Sequence, residues 1–160
     1  MASYCRIMFK ELMKGLHPNV RAMQFSVHDD WVKKIKYCPS LQCFISCSTT
    51  CEKSLYIGDA MRKRVSSYIN VRKGVLSFDY CSTWNVIITG GIDHYVRLWN
   101  PYLTTKPTST LKGHCSAVIH IEVNATNGQF ISVSQDKVLV IILFALFCFI
   151  VSVCDQFDEC

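Results

Sequence analysis

An all-β chain of about three repeated four-stranded units is the fold class this sequence predicts. Three observations predict it. The chain superposes on itself at a spacing of 43 residues, without a gap, over two full periods. Within a period, short runs alternate apolar and polar or are continuously apolar, as half-buried and buried strands do. Glycine, aspartate and proline then fall where the strands must turn or stop.

The period aligns residue roles as well as hydropathy. Val32, Val75 and Val118 superpose, as do Ile35, Phe78 and Ile121. So do Phe44, Ile87 and Phe130, then Ile45, Ile88 and Ile131. Ser46, Thr89 and Ser132 align, then Ser48, Gly91 and Ser134, then Thr50, Asp93 and Asp136. In the middle copy, 74–80 (GVLSFDY) alternates and reads as a half-buried strand. The run 84–91 (WNVIITGG) is a second strand and 92–94 (IDH) its turn. A third strand follows at 95–100 (YVRLWN), where Pro101 stops the pairing. A fourth, polar and outermost, lies in 106–113 (KPTSTLKG). Four short strands in a period of about 40–45 residues form one blade of a β-propeller.

The residues GGIDHYVRLWNP (90–101), LKGHCSAVIHIEV (111–123) and GQFISVSQDK (128–137) resemble WD repeats. Gly113-His114 matches the pair that opens such a repeat. Trp99-Asn100 matches the closing pair, with Asn for Asp, and Asp93 and Asp136 match the turn aspartate. The resemblance covers about 20–137 and implies a non-catalytic scaffold that binds other proteins through its loops and blade faces. It also implies a hydrogen-bonded chain of His, Ser or Thr, turn Asp and Trp inside each blade. Such a chain satisfies a carboxylate tucked under the sheet. The residues that would carry it are His28; Thr89, Asp93 and Trp99; and His114, Ser134 and Asp136. No copy is complete. The first has Thr50 for Asp and Tyr56 for Trp, the second Val71 for His, the third Ile142 for Trp.

Three segments are expected. Residues 1–19 read as a short amphipathic helix ending at Gly15. Residues 20–137 carry the repeats, divided at about 20–62, 63–105 and 106–142, the last broken. Residues 138–160 form an apolar tail with a short acidic end. About three blades make an incomplete propeller, since closure takes about four to eight. Missing blades of a parent chain would complete the ring.

All seventeen Lys and Arg lie in 1–137 with nine acids, so this part carries +8, whereas the last 23 residues carry −3. Lys33, Lys34, Arg62, Lys63, Arg64, Arg72 and Lys73 are candidates for a basic face toward an acidic partner. Nucleic acid is a remote alternative, because no exposed aromatics interleave with these residues. Ten cysteines without an apolar leader imply reduced thiols and a cytoplasmic chain. Cys43, Cys47 and Cys51 lie four apart, about 13 Å per step along a strand, too far to share one ion. No metal and no cofactor are expected. Nucleophile elbow, phosphate-binding glycine loop and paired carboxylates are all missing from the sequence, so no enzymatic activity is expected.

The tail has two readings. From Val138 to Cys154 run seventeen uncharged residues. As a helix they span about 26 Å against a hydrocarbon core of about 30 Å, which makes a tail-anchored adaptor with cytosolic blades one reading. The preferred reading is translated intron in a truncated splice form. Lys137-Val138 suits an exon end and its donor site, and the repeat stops inside a strand. Residues 138–142 (VLVII) still fit the third strand of the last copy, since Leu139 and Ile141 align with Val96 and Leu98.

Overall fold

The computed structural model describes residues 10, 14–15, 24–59 and 66–144. Its described residues form eleven strands in three antiparallel sheets. Blade 1 holds β1 (Val32–Cys38), β2 (Cys43–Ser48), β3 (Leu55–Gly58) and β4 (Ser67–Ile69), in that spatial order. Blade 2 holds β5 (Val75–Cys81), β6 (Val86–Gly91), β7 (Val96–Trp99) and β8 (Ser109–Leu111). Blade 3 shows β9 (Val118–Asn124), β10 (Gln129–Ser134) and β11 (Leu139–Leu143). Each is a meander of adjacent hairpins, the topology that short turns between antiparallel strands produce.

The register repeats with the sequence. In blade 2, Ile87 faces Trp99 and Ile88 faces Leu98. In blade 3, Phe130 faces Ile142 and Ile131 faces Ile141, one period on. The turns repeat too. Asp93 Oδ1 accepts from the Tyr95 amide at 3.4 Å, and Asp136 Oδ1 from the Val138 amide at 3.2 Å. His94 and Lys137 each take φ of 69°. A carboxylate that caps the chain two residues on lets the following residue sit left-handed.

The third copy therefore continues past Lys137. Its third strand runs to Leu143, and Phe144 is buried between Phe130 and Trp84. Val138 to Leu143, the start of the suggested membrane segment, are strand and turn rather than helix. No helix among the described residues is long and apolar enough to cross a membrane. Cys154 and the rest of that segment lie outside the described residues. Most of the N-terminal helix does as well. Of it, the Lys14 amide donates to the Lys10 carbonyl at 3.3 Å, and Gly15 has φ of 67°.

Two apolar cores form between blades rather than within them. Ile45, Cys47, Leu55 and Ile57 of blade 1 meet Val75, Phe78, Ile87 and Trp99 of blade 2. Ile88, Val96 and Leu98 of blade 2 meet Val118, Ile121 and Phe130 of blade 3. A single sheet has two faces to cover, so stacking is what removes them from water. Gly90 permits the second contact, because a Cβ there would stand 2.5 Å from Val118 Cγ1.

Candidate interaction site

The hydrogen-bond chain inside each blade is built differently in each copy. In blade 1 the His28 ring spans two groups. Nε2 meets Ser46 Oγ at 2.7 Å and Nδ1 the Lys53 carbonyl at 2.8 Å. A carbonyl only accepts, so Nδ1 carries the proton and Nε2 accepts from the serine. With Thr50 in the aspartate position, His28 ties to backbone instead. In blade 2, Trp99 Nε1 donates to Thr89 Oγ1 at 2.8 Å, both groups buried. Val71 leaves no imidazole for Asp93. Arg97 takes that role with two bonds, at 3.0 and 2.6 Å, and its guanidinium lies 5.2 Å from the Tyr95 ring centroid.

In blade 3, His114 Nε2 meets Ser132 Oγ at 2.8 Å. Ser132 thus joins the chain as the residue that meets His114, and Ser134 keeps its place in it beside Asp136. Ser134 Oγ bonds Asp136 and the Val138 carbonyl, closing the turn. The period carried the signal, since Ser132, not Ser134, is the equivalent of Thr89. His114 Nδ1 is buried without a hydrogen-bond partner. Burial holds the His114 pKa below its ordinary value, and Asp136 opposes that only in part. Hydrogen bonding from Ser134 holds Asp136 below the usual carboxylate range.

The inner strands are joined by groups that sequence reasoning missed. Asp79 is almost fully buried. It accepts from Lys36 Nζ at 2.5 Å, from the Tyr80 amide at 2.8 Å and, through its other oxygen, from the Val123 amide at 2.8 Å. One carboxylate thus ties blade 1 and blade 3 to blade 2. Ser77 Oγ accepts from the Ile121 amide at 3.1 Å. Alternation inside a strand marks Asp79 as one more polar position. Its one sequence signal is that Lys36, Asp79 and Glu122 fall on one period.

The proposed basic face divides. Lys33 is exposed. Lys34 turns inward, bonds the Ile121 carbonyl at 3.2 Å and lies 5.9 Å from the Phe78 ring centroid. Arg62, Lys63 and Arg64 lie outside the described residues. Arg72 and Lys73 are exposed and line a groove of about 530 Å³ with Asp93, Tyr95 and Arg97. The Asp93–Arg97 pair is internally neutral, so Arg72 and Lys73 give the groove its positive charge.

The cysteines are free thiols where described. Cys38, Cys43, Cys47 and Cys81 are buried and Cys51 and Cys115 exposed. Burial pushes the Cys38 and Cys47 thiols up to about 11, which keeps them protonated and unreactive. No three His, Cys, Asp or Glu among the described residues are grouped to hold a metal ion.

Blades of this geometry, with the Trp–Thr bond and the turn aspartates, define WD-repeat blades of an incomplete β-propeller. The family description "WD domain, G-beta repeat" matches residues 71–100 and 105–142. The chain is similar to the WD repeat-containing protein on Y chromosome of Drosophila pseudoobscura pseudoobscura, at 22% identity over 144 residues, covering 86% of this chain and 14% of that protein. The Drosophila grimshawi protein of that name is 32% identical over 66 residues, 41% of this chain and 6% of its own length. The chain thus spans about a seventh of the length of the Drosophila pseudoobscura pseudoobscura protein. Among solved structures, U3-55K aligns with a TM-score of 0.64 at 16% identity, over 74% of this chain and 37% of that one. The WD40 β-propeller domain of Doa1 aligns with a TM-score of 0.61 at 22% identity, over 72% and 38%.

Proposed function

We propose that this chain is a non-catalytic protein-interaction platform, and that blade 2 carries a docking point for an acidic segment of a partner protein. WD-repeat propellers generally serve as protein-binding scaffolds, which supports the first part. The groove at Arg72, Lys73, Asp93, Tyr95 and Arg97 supports the second. Two uncompensated cations stand over a floor held rigid by the Asp93–Arg97 pair, with the Tyr95 ring as an apolar wall. Such a floor presents charge without first having to be ordered. An aspartate- and glutamate-rich peptide should bind the full chain and lose at least roughly tenfold in affinity to the Arg72→Ala/Lys73→Ala variant. Equal binding by both proteins would refute the groove. Nucleic acid fits less well, because one tyrosine offers no run of stacking platforms. Tighter, more salt-dependent binding of single-stranded RNA than of the peptide would reverse that preference.

Cytosolic blades on a membrane anchor remain the contrasting proposal, and the fold weighs against it. With residues 138–143 used by the blade, a helix from 144 to 154 would span about 16 Å, roughly half a bilayer core. Carbonate extraction of membranes, with a copy ending at Lys137 as control, tests it. Retention of the full chain alone in the pellet would favour the anchor, and solubility of both would favour a cytoplasmic platform. The splice-form proposal is tested by the genomic sequence across codons 137 and 138. The in-register strand there weighs against a junction at that point.

A further inference from the structure

Neighbouring blades pack on the faces of a sheet and leave its loop ends open, so what a loop end exposes does not depend on how many blades a ring holds. At one end of blade 2, opposite to the cationic groove, three large apolar side chains stand in water. Trp84 lies in the loop after β5, and Tyr102 and Leu103 in the loop after β7; they are 48%, 71% and 67% exposed. Trp84 and Tyr102 each lie three residues beyond the paired Ile87 and Trp99, so the β6–β7 register carries both to the same end of the sheet. Local structure fixes the two loops. Asn100 and Pro101 open a β-turn with the residues that type I prefers. Asn100 Oδ1 accepts from the Tyr102 amide at 2.9 Å, and the Asn100 carbonyl from the Leu103 amide at 3.1 Å. The Trp84 indole stacks on the Phe144 ring, with 5.6 Å between centroids and 16° between planes. Asn85 beside it takes φ of 52° and accepts from the Tyr80 hydroxyl at 2.8 Å. Exposed aromatics on fixed loops form a contact surface that is ordered before any partner arrives.

The composition of that end says what it fits. In blades 2 and 3 its loops, 82–85, 100–108 and 125–128, hold no acid and a single cation, Lys106. A charged segment brought there would give up hydration with almost nothing to pair with. Two polar groups narrow the choice further. Among the described residues, Trp84 Nε1 and the Tyr102 hydroxyl meet no protein acceptor. A partner that satisfies them must offer carbonyls not already bonded. Helices and strands use theirs for their own structure, whereas a polyproline II segment has no internal hydrogen bonds and leaves its carbonyls free. Its rings pack on aromatic side chains, and its stiff backbone has little entropy to lose on docking. We propose that Trp84, Tyr102 and Leu103 bind an uncharged, proline-rich segment of another protein. This surface is separate from the cationic groove and does not rest on it. With both ends in use, one blade holds two partner segments of different chemistry.

Fluorescence anisotropy of labelled decaproline titrated with the full chain tests this. Saturable binding is expected, and a glycine–serine peptide of equal length should not bind. Tyr102→Ala and Trp84→Leu should each weaken decaproline binding at least roughly tenfold, as removal of an aromatic anchor does. The turn at Tyr102 is held by Asn100 and not by the tyrosine ring, so Tyr102→Ala should leave the fold, checked by circular dichroism, intact. Thr110→Ala, exposed on β8, should bind as the wild type does. No charges are paired in the contact, so raising salt from about 0.05 to 0.5 M should leave the affinity unchanged. Absence of binding would overturn the proposal. So would equal binding of the glycine–serine peptide, or indifference to Tyr102→Ala. Tighter binding of an amphipathic helical peptide than of decaproline would overturn it too, since any apolar surface would then serve.

Discussion

Asp79→Ala should destabilise the chain by about 3 kcal/mol, because the loss falls on the buried Tyr80 amide and the part-buried Val123 amide. Asp79 is 1% exposed and accepts three hydrogen bonds. The Lys36 side chain is 41% exposed and can turn to water, so the ion pair itself contributes no more than about 1 kcal/mol. The Tyr80 amide is buried and the Val123 amide part-buried, and neither can swing out to water as a lysine side chain does. Each donor left without an acceptor costs about 1–3 kcal/mol. Two of them remove a large share of the roughly 5–15 kcal/mol that holds a typical domain folded. Asp79→Asn keeps one acceptor oxygen and should lose about half as much. The assay is urea unfolding of the full chain followed by tryptophan fluorescence, with Asp29→Ala as the exposed control. Lys36→Met, alone and combined with Asp79→Ala, completes a double-mutant cycle with an expected coupling under about 1 kcal/mol. An Asp79→Ala loss no larger than the Asp29→Ala loss would refute the reasoning. It would mean that water satisfies both amides.

Trp99→Phe should cost about 1–2 kcal/mol, because the Thr89 hydroxyl loses its 2.8 Å donor and keeps only a 3.5 Å bond to the Arg97 carbonyl, and Thr89→Val should add little in that background; thermal melts of the four proteins check both expectations. His114 has its pKa lowered by burial, so the folded state resists protonation that the unfolded state accepts. Its contribution is complete above the unfolded value of about 6.5 and is lost as pH falls toward the folded value. Urea midpoints between pH 7.5 and 5 should decline for the wild type and decline less for His114→Val, which copies Val71 of blade 2; equal slopes would refute the assignment.

The strands, turns and register were legible from sequence because they repeat every 43 residues and because alternation is a local property of a strand. The same holds for the turn aspartates, whose carboxylates act on the amide two residues away. Even the third strand of the broken copy was readable, since Leu139 and Ile141 keep the spacing of Val96 and Leu98. The partners within each blade were less legible. Ser132 and Ser134 lie two apart, a β-irregularity falls beside Ser134, and both hydroxyls are buried. Strand periodicity alone offers His114 either one. Distance chose Ser132. Arg97 taking up Asp93 was hidden for a related reason, as nothing in the order YVRLW says whether its cation turns out to solvent or back to the turn.

What the sequence by itself determined is therefore the blade: its strands, its pairing and its apolar faces, all set by contacts between residues near in the chain. Only the tertiary structure decided which faces are covered. Ile35 and Phe78 occupy equivalent positions in equivalent strands, yet one is 64% exposed and the other fully buried. The difference lies in the neighbour, because burial belongs to the stack and not to the strand. The same holds for Asp79, one acidic residue in an alternating run until three blades bring Lys36 and the Val123 amide to its two oxygens.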